Sequence, residues 1–338
     1  MKNTRGIYHW YIDERGVELR RQVGQGRRDA GLRVTVADPA ATLADAMLAS
    51  YRRAIACVAA VEDEIRDAAA RLADVWERGG RCIYLGAGAA GLIAAEDAAE
   101  LPGTFGLDRR RIVVILAGGD GDSFDLDAAA EDDAAAAERA IAALGDLAGD
   151  AVIAVSASGS TPFTLAGATA ARRAGALVVA IANRPNAPLL READLALLLD
   201  SGDEALQGST RLAAGAAQKC ALGMLSTLFG LALGHIHAGL MVNLRTDNDK
   251  LHRRALGIVM AISGVDENEA RAALAAAGGE VKPAVLMSSG ARDRGDAVDR
   301  LARSRGRLAE AMESLGRELG RSGADEPRRA LRKRGEKR

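Results

Sequence analysis

The chain of 338 residues carries 45 basic and 46 acidic side chains, a net charge of −1, and only 3% aromatic residues. Charge so evenly balanced argues against a surface built to attract nucleic acid, and so few rings argue against a base-stacking platform. The length accommodates one large domain or two smaller ones, and no uncharged apolar run of about 18 residues is present to predict a membrane span.

Residues 1–40 are mixed and charged and read as an arm without assigned elements. Residues 41–78 read as one helix. Leu43, Met47, Tyr51, Ile55, Val58, Val61, Ile65, Ala69, Leu72 and Trp76 recur every three or four positions, and Gly79 and Gly80 stop it. The pattern then alternates. "CIYLGA" is a short buried strand, and "GLIAAEDAAEL" a helix ended by Pro102. "RIVVILAGG" is a strand, and residues 127–144 an alanine-rich acidic helix. "DAVIAVSASGST" is a strand and loop, and "PFTLAGATAARRAG" a helix with Pro162 in its first turn. "LVVAIAN" and "DLALLLD" are two further strands, and residues 210–233 a long apolar helix. Such alternation predicts an α/β fold: a three-layer, doubly wound parallel sheet preceded by N-terminal helices, with its ligand at the carboxyl ends of the strands.

That unit is assigned to residues 41–250. Residues 251–320 are helical and repeat: "ARAALAAAGGEVKPAV" aligns with "AVDRLARSRGRLAEAM", matching Leu274 to Leu301, Gly279 to Gly306, Val281 to Leu308 and Ala284 to Ala311. They are expected to form a C-terminal helical subdomain of two tandem units. Residues 321–338 form a basic tail, read as a solvated end. Cys57, Cys82 and Cys220 lie far apart without metal-ligand spacing and are expected to be reduced, in a cytoplasmic protein. The N-terminus has no long apolar stretch after its charges, so no secretory leader is expected.

Two loops are candidate phosphate holders. "LGAGAAG" places Gly86, Gly88 and Gly91 in a G-x-G-x-x-G pattern after the first strand. "SASGST" places Ser156, Ser158, Ser160 and Thr161 at the start of a helix, where hydroxyls, exposed N–H groups and the helix dipole favour an anion. A dinucleotide site would need an acid about 20 residues after the first loop, but Asp120 lies more than 30 residues beyond Gly86. The hydroxyl loop also has no role in that scheme, so a dinucleotide is not expected.

Read together, "GAGAAG…EDAAELPGTFG", "LAGG…AAEDD", "SASGSTP", "QGSTRLAAGAAQKCALGMLST" and "GLMVNLRTDNDKL" resemble the N-acetylmuramic acid 6-phosphate etherase family. The resemblance covers residues 79–287 and extends toward 318. It implies a flavodoxin-like sugar isomerase (SIS) domain, a homodimer with active sites near the subunit interface, and removal of D-lactate from an amino-sugar phosphate without metal or redox cofactor. The family's two glutamates fall on Glu100, in "DAAELPGTFG", and Glu131, in "AAEDD". The resemblance assigns Glu100 as acid and Glu131 as base. Lys219 matches a lysine of the family pattern and is placed near the ligand or in a structural ion pair. Ser209 and Thr210 begin the long helix and are expected to cap it and face the ligand, and Glu96, four residues before Glu100 on the same helical face, reads as a solvent charge. His235 and His237 make no metal site without a third ligand. The chain departs from the pattern at Ala89 and Ala90, where the family has Thr-Ser, at Leu92, where it has Arg, and at Ala213, where it has Lys. Two lost hydroxyl donors cost on the order of 0.5–1.5 kcal/mol each. That leaves a sugar without the 6-phosphate or with a bulkier group, a non-catalytic sugar-phosphate regulator, or an isomerase as alternatives. A regulator has no need of both acids.

Overall fold

The computed structural model describes residues 8–12, 18–22, 39–119, 128–246 and 248–320. Within the stretch read as an arm, β1 (Tyr8–Ile12) pairs antiparallel with β2 (Glu18–Gln22). The rest of that arm and the basic tail lie outside the described residues. The helix expected over 41–78 is two helices, α1 (Pro39–Val58) and α2 (Glu62–Glu77), joined by a 3₁₀ turn at Ala59–Val61. A 3₁₀ turn repeats every three residues, so the apolar spacing runs through the break undisturbed. Val58 and Val61 stay buried while the backbone at Val61 leaves the helical region, at φ −122°.

Five parallel strands follow: β3 (Cys82–Gly86), β4 (Ile112–Leu116), β5 (Ala151–Ser156), β6 (Leu177–Ala182) and β7 (Leu195–Leu198), in the order β4-β3-β5-β6-β7. Their side chains alternate between two buried faces, as a doubly covered sheet requires. Cys82, Tyr84, Ile153, Val155, Val179 and Ile181 join one core with α2, α3 (Gly88–Phe105) and α7 (Ala213–Ala232). Ile83, Leu85, Val152, Ala154, Val178 and Ala180 join the other with α4 (Ala134–Ala143), α5 (Pro162–Arg173) and α6 (Pro188–Arg191).

Two helix boundaries depart from expectation. Pro102 does not end α3, which runs on to Phe105 and stops at Gly106, in the left-handed region at φ +64°. Leu101 and Phe105 are buried on either side of the proline and hold the last turn in place, Phe105 packing where Gly230 of α7 has no side chain. The acidic helix expected over 127–144 is a 3₁₀ segment, Ala128–Asp132, followed by α4. Asp133 restarts the helix by accepting the Ala136 N–H.

Asp97 of α3, 5% exposed, accepts hydrogen bonds from Tyr84 of β3 and Ser226 of α7, each at 2.9 Å. Burial raises its pKa, and the two donors oppose that rise. Asp97→Leu strands both hydroxyls in the core and is expected to lower unfolding free energy by about 3–5 kcal/mol in urea titration, with Asp97→Asn losing less.

After α7, β8 (Ile236–His237) and β9 (Leu240–Met241) form a small hairpin leading to α8 (Asp249–Ser263). Then come α9 (Glu267–Ala276), α10 (Val281–Ser288), α11 (Arg294–Arg303) and α12 (Leu308–Glu318) around a second apolar core. The repeat read from sequence reappears in these helices: α11 begins 27 residues after α9 (294 − 267), and α12 begins 27 after α10 (308 − 281). Gly279 and Gly306 turn the chain at φ +84° and +74°, and their N–H groups donate to Leu274 and Leu301.

Candidate functional site

β3 and β5 lie side by side, and the chain winds outward from them in opposite directions. This is the switch point at which parallel sheets open a crevice. Gly86 sits opposite Val155, so the first loop and the hydroxyl loop leave the sheet as neighbours. The glycines of the first loop have separate duties. Gly86 and Gly91 press against each other, and a Cβ on either would collide with the other's backbone. Gly88 adopts φ +54° and opens α3, whose first turn has no side-chain cap. Ala90 is buried and Ala89 half-buried beside it, so this loop offers backbone N–H groups only.

In the hydroxyl loop, Ser156 is buried, lies 2.9 Å from the Thr161 hydroxyl and accepts the Gly159 N–H. Ser158 accepts from the Ser160 N–H at 3.1 Å and from its hydroxyl at 3.2 Å. None of them caps α5: Thr161 holds the N-cap position, but its side chain makes no cap bond. The hydroxyls knit the turn together, and Ser158 and Ser160 stand exposed at its rim.

Glu131 reaches this crevice from the 3₁₀ segment before α4. Its carboxylate lies so close to Gly88 that a Cβ there would collide with Oε1. Gly88→Ala therefore strains the backbone by about 1–2 kcal/mol and also displaces Glu131. With Glu131 as the expected base, turnover is expected to fall about tenfold or more, read as kcat, beside a drop of several degrees in melting temperature. Glu100 is elsewhere. It lies on α3 twelve residues beyond Gly88, roughly 18 Å along the helix axis. It is exposed, and no hydrogen bond or ion pair holds it among the described residues. One chain does not bring the two glutamates together.

The turn before α7 differs from expectation. Ser209 and Thr210 do not cap the helix. Glu204 does, accepting the Ala213 and Ala214 N–H groups at 2.8 and 2.9 Å. A carboxylate satisfies two orphan donors where one hydroxyl satisfies one. The signal was present as an acid nine residues before the helix, too far for a sequence rule to connect. Lys219 pairs with Glu96 of α3 at 3.0 Å, both about half exposed, so Glu96 is not the free solvent charge its position implied. Glu96 and Glu100 share a helical face. His235 follows α7 and His237 lies in β8, and no cluster of three metal-ligating side chains occurs among the described residues.

A family model described as the SIS domain matches residues 48–183. The N-acetylmuramic acid 6-phosphate etherase of Deinococcus radiodurans is 41% identical over 279 residues, 82% of this chain and 90% of that protein. That of Streptomyces avermitilis is 41% identical over 257 residues, covering 76% and 83%. That of Salmonella typhimurium is 40% identical over 235 residues, covering 70% and 79%. Among solved structures, a phosphoheptose isomerase from Francisella tularensis aligns with a TM-score of 0.45 at 18% identity, covering 57% of this chain and 99% of that one.

Proposed function

Because the chain belongs to the N-acetylmuramic acid 6-phosphate etherase family, we propose that it removes D-lactate from carbon 3 of N-acetylmuramic acid 6-phosphate or a close analogue, leaving N-acetylglucosamine 6-phosphate. The observation that carries this reading is the Glu131 carboxylate against Gly88, beside the hydroxyl turn at the switch point. On the open-chain sugar, Glu131 takes the proton at carbon 2, which the neighbouring aldehyde acidifies. Glu100 protonates the lactyl ether oxygen as the bond from carbon 3 to that oxygen breaks. Water then adds at carbon 3 of the unsaturated aldehyde, and the proton returns to carbon 2.

Both acids must reach one hexose, and a single chain holds them too far apart. A homodimer resolves this: Glu100 of one protomer enters its partner's crevice, with Lys219, held by Glu96 one turn away, entering beside it. The exposure of Glu100 supports the arrangement. Ser158, Ser160 and Thr161 take the phosphate with the N–H groups of Gly88, Ala89 and Ala90, while Ser209 and Thr210 line the turn before α7. The apolar wall at Ala89, Ala90 and Leu92 allows an analogue bulkier than the family's usual ligand. No helix among the described residues is long and apolar enough to cross a membrane. A cytoplasmic location is supported by three free cysteines.

The test is D-lactate release from N-acetylmuramic acid 6-phosphate by the purified protein. Release that disappears in Glu131→Gln supports the etherase. Tight binding without release identifies a regulator, and deuterium uptake at carbon 2 without lactate identifies an isomerase.

A further inference from the structure

A cavity of about 670 Å³ opens between the end of α3, the segment after β9 and the start of α10. It lies at the Gly106 end of α3, roughly 27 Å along that helix from Gly88, so within one chain it is separate from the crevice. Its volume suits a small metabolite rather than a bare ion.

The wall is built for negative charge. Lys282 is 6% exposed, yet no carboxylate lies within ion-pair distance of its ammonium among the described residues. Its one recorded partner is the Gly306 carbonyl, at 2.8 Å, which leaves two of its three donors. A buried ammonium without a counter-charge is expensive to keep. Among the described residues one acid lines the wall, Glu280, and it is paired with Arg294 at 2.5 Å. Glu280 also precedes α10 without capping it, so the Val281 and Lys282 N–H groups open the helix with no side-chain acceptor. Asn243, Arg245 and Thr246 add polar groups to the lining, Thr246 lying against Gly279. His235, facing Lys282, is held neutral by burial and by that ammonium, so it supplies no competing charge.

We propose that this cavity is a second ligand site, for a small phosphorylated sugar whose phosphate sits between the Lys282 ammonium and the N-terminus of α10. The cavity has room for a sugar beyond the phosphate, and it is lined by the Thr246 hydroxyl and by Asn243, whose amide N–H donates to the Phe105 carbonyl. The inference does not depend on which reaction the crevice performs.

Calorimetric titration of the intact protein with inorganic phosphate and with glucose 6-phosphate tests it. A Ser158→Ala/Ser160→Ala protein, weakened at the crevice, is expected to retain one anion site per chain. Lys282→Met is expected to lose that site by about tenfold or more in affinity, and Lys282→Arg to keep most of it. Glucose 6-phosphate is expected to bind this site more tightly than phosphate does. Unchanged affinity and stoichiometry in a folded Lys282→Met protein would show that Lys282 only caps the Gly306 carbonyl, and would overturn the proposal. Should that variant not fold, crystals of the wild-type protein soaked in tungstate decide the matter. Anomalous density beside Lys282 Nζ supports the site, and density confined to the crevice refutes it.

Discussion

Equal amounts of Glu100→Gln and Glu131→Gln protein, each inactive alone, are expected to recover about a quarter of wild-type lactate release once their subunits exchange. Each substitution removes one proton transfer and is expected to lower kcat by roughly 10²–10⁴. If sites are shared, a hybrid dimer holds one intact site, with Glu131 from the Glu100→Gln chain and Glu100 from the Glu131→Gln chain. Its other site lacks both acids. Random re-pairing makes half the dimers hybrid, and half the sites in each hybrid are intact. If both acids acted from one chain, no pairing could restore activity. The geometry favours the first outcome, because Glu131 touches Gly88 while Glu100 lies twelve residues further along the same helix. Failure to recover activity, in mixtures shown to exchange, would remove the shared site while leaving the proposed reaction to be judged by lactate release alone.

The layered sheet was legible because its strands are continuous apolar runs separated by turn residues, a signal carried by neighbours in the chain. The tandem helices were legible for a similar reason, since Gly279 and Gly306 mark equivalent turns. Boundaries set by packing were not. Pro102 reads as a stop, and only the burial of Leu101 and Phe105 carries α3 past it. The 3₁₀ break at Ala59–Val61 keeps the helical spacing of apolar residues and so leaves no trace in the pattern. At the site, glycines and hydroxyls announce the two loops, but the contact of Glu131 with Gly88 spans 43 residues (131 − 88) and follows no local rule. The resemblance supplied both glutamates, and the structure adds that one chain keeps them apart. Lys282 gave no signal at all. A lysine in "EVKPAV" reads as a surface charge until α10 is folded against Gly306.

Replacing Lys282 by Met is expected to abolish a rise in stability with alkaline pH, and the difference from wild type isolates a buried charge. Burial lowers the Lys282 pKa from 10.5 to about 8. Between those values the unfolded chain holds the proton and the folded chain does not, so this group makes stability rise with pH, and below pH 8 the folded state carries the full cost of a buried charge. That cost is about 3 kcal/mol at neutral pH. Wild-type data alone would obscure it. Burial pushes the Cys82 thiol up to about 12, and this works in the opposite direction above its ordinary 9.0. The Cys82 contribution is common to both proteins and cancels in the difference. Chemical denaturation at pH 7 and pH 10.5 should therefore show the stability of Lys282→Met relative to wild type falling by about 3 kcal/mol between the two. His235 provides the acid counterpart. Desolvation, helped by Lys282 and opposed by the Phe105 carbonyl, lowers its pKa from 6.5 to about 3. Its neutral form costs nothing above pH 6.5, and wild-type stability is lost as pH falls from there toward 3, a limb that His235→Gln should flatten. A flat difference between Lys282→Met and wild type across the alkaline range would mean that the ammonium is solvated in solution, and the cavity beside α10 would lose the unpaired charge that distinguishes it.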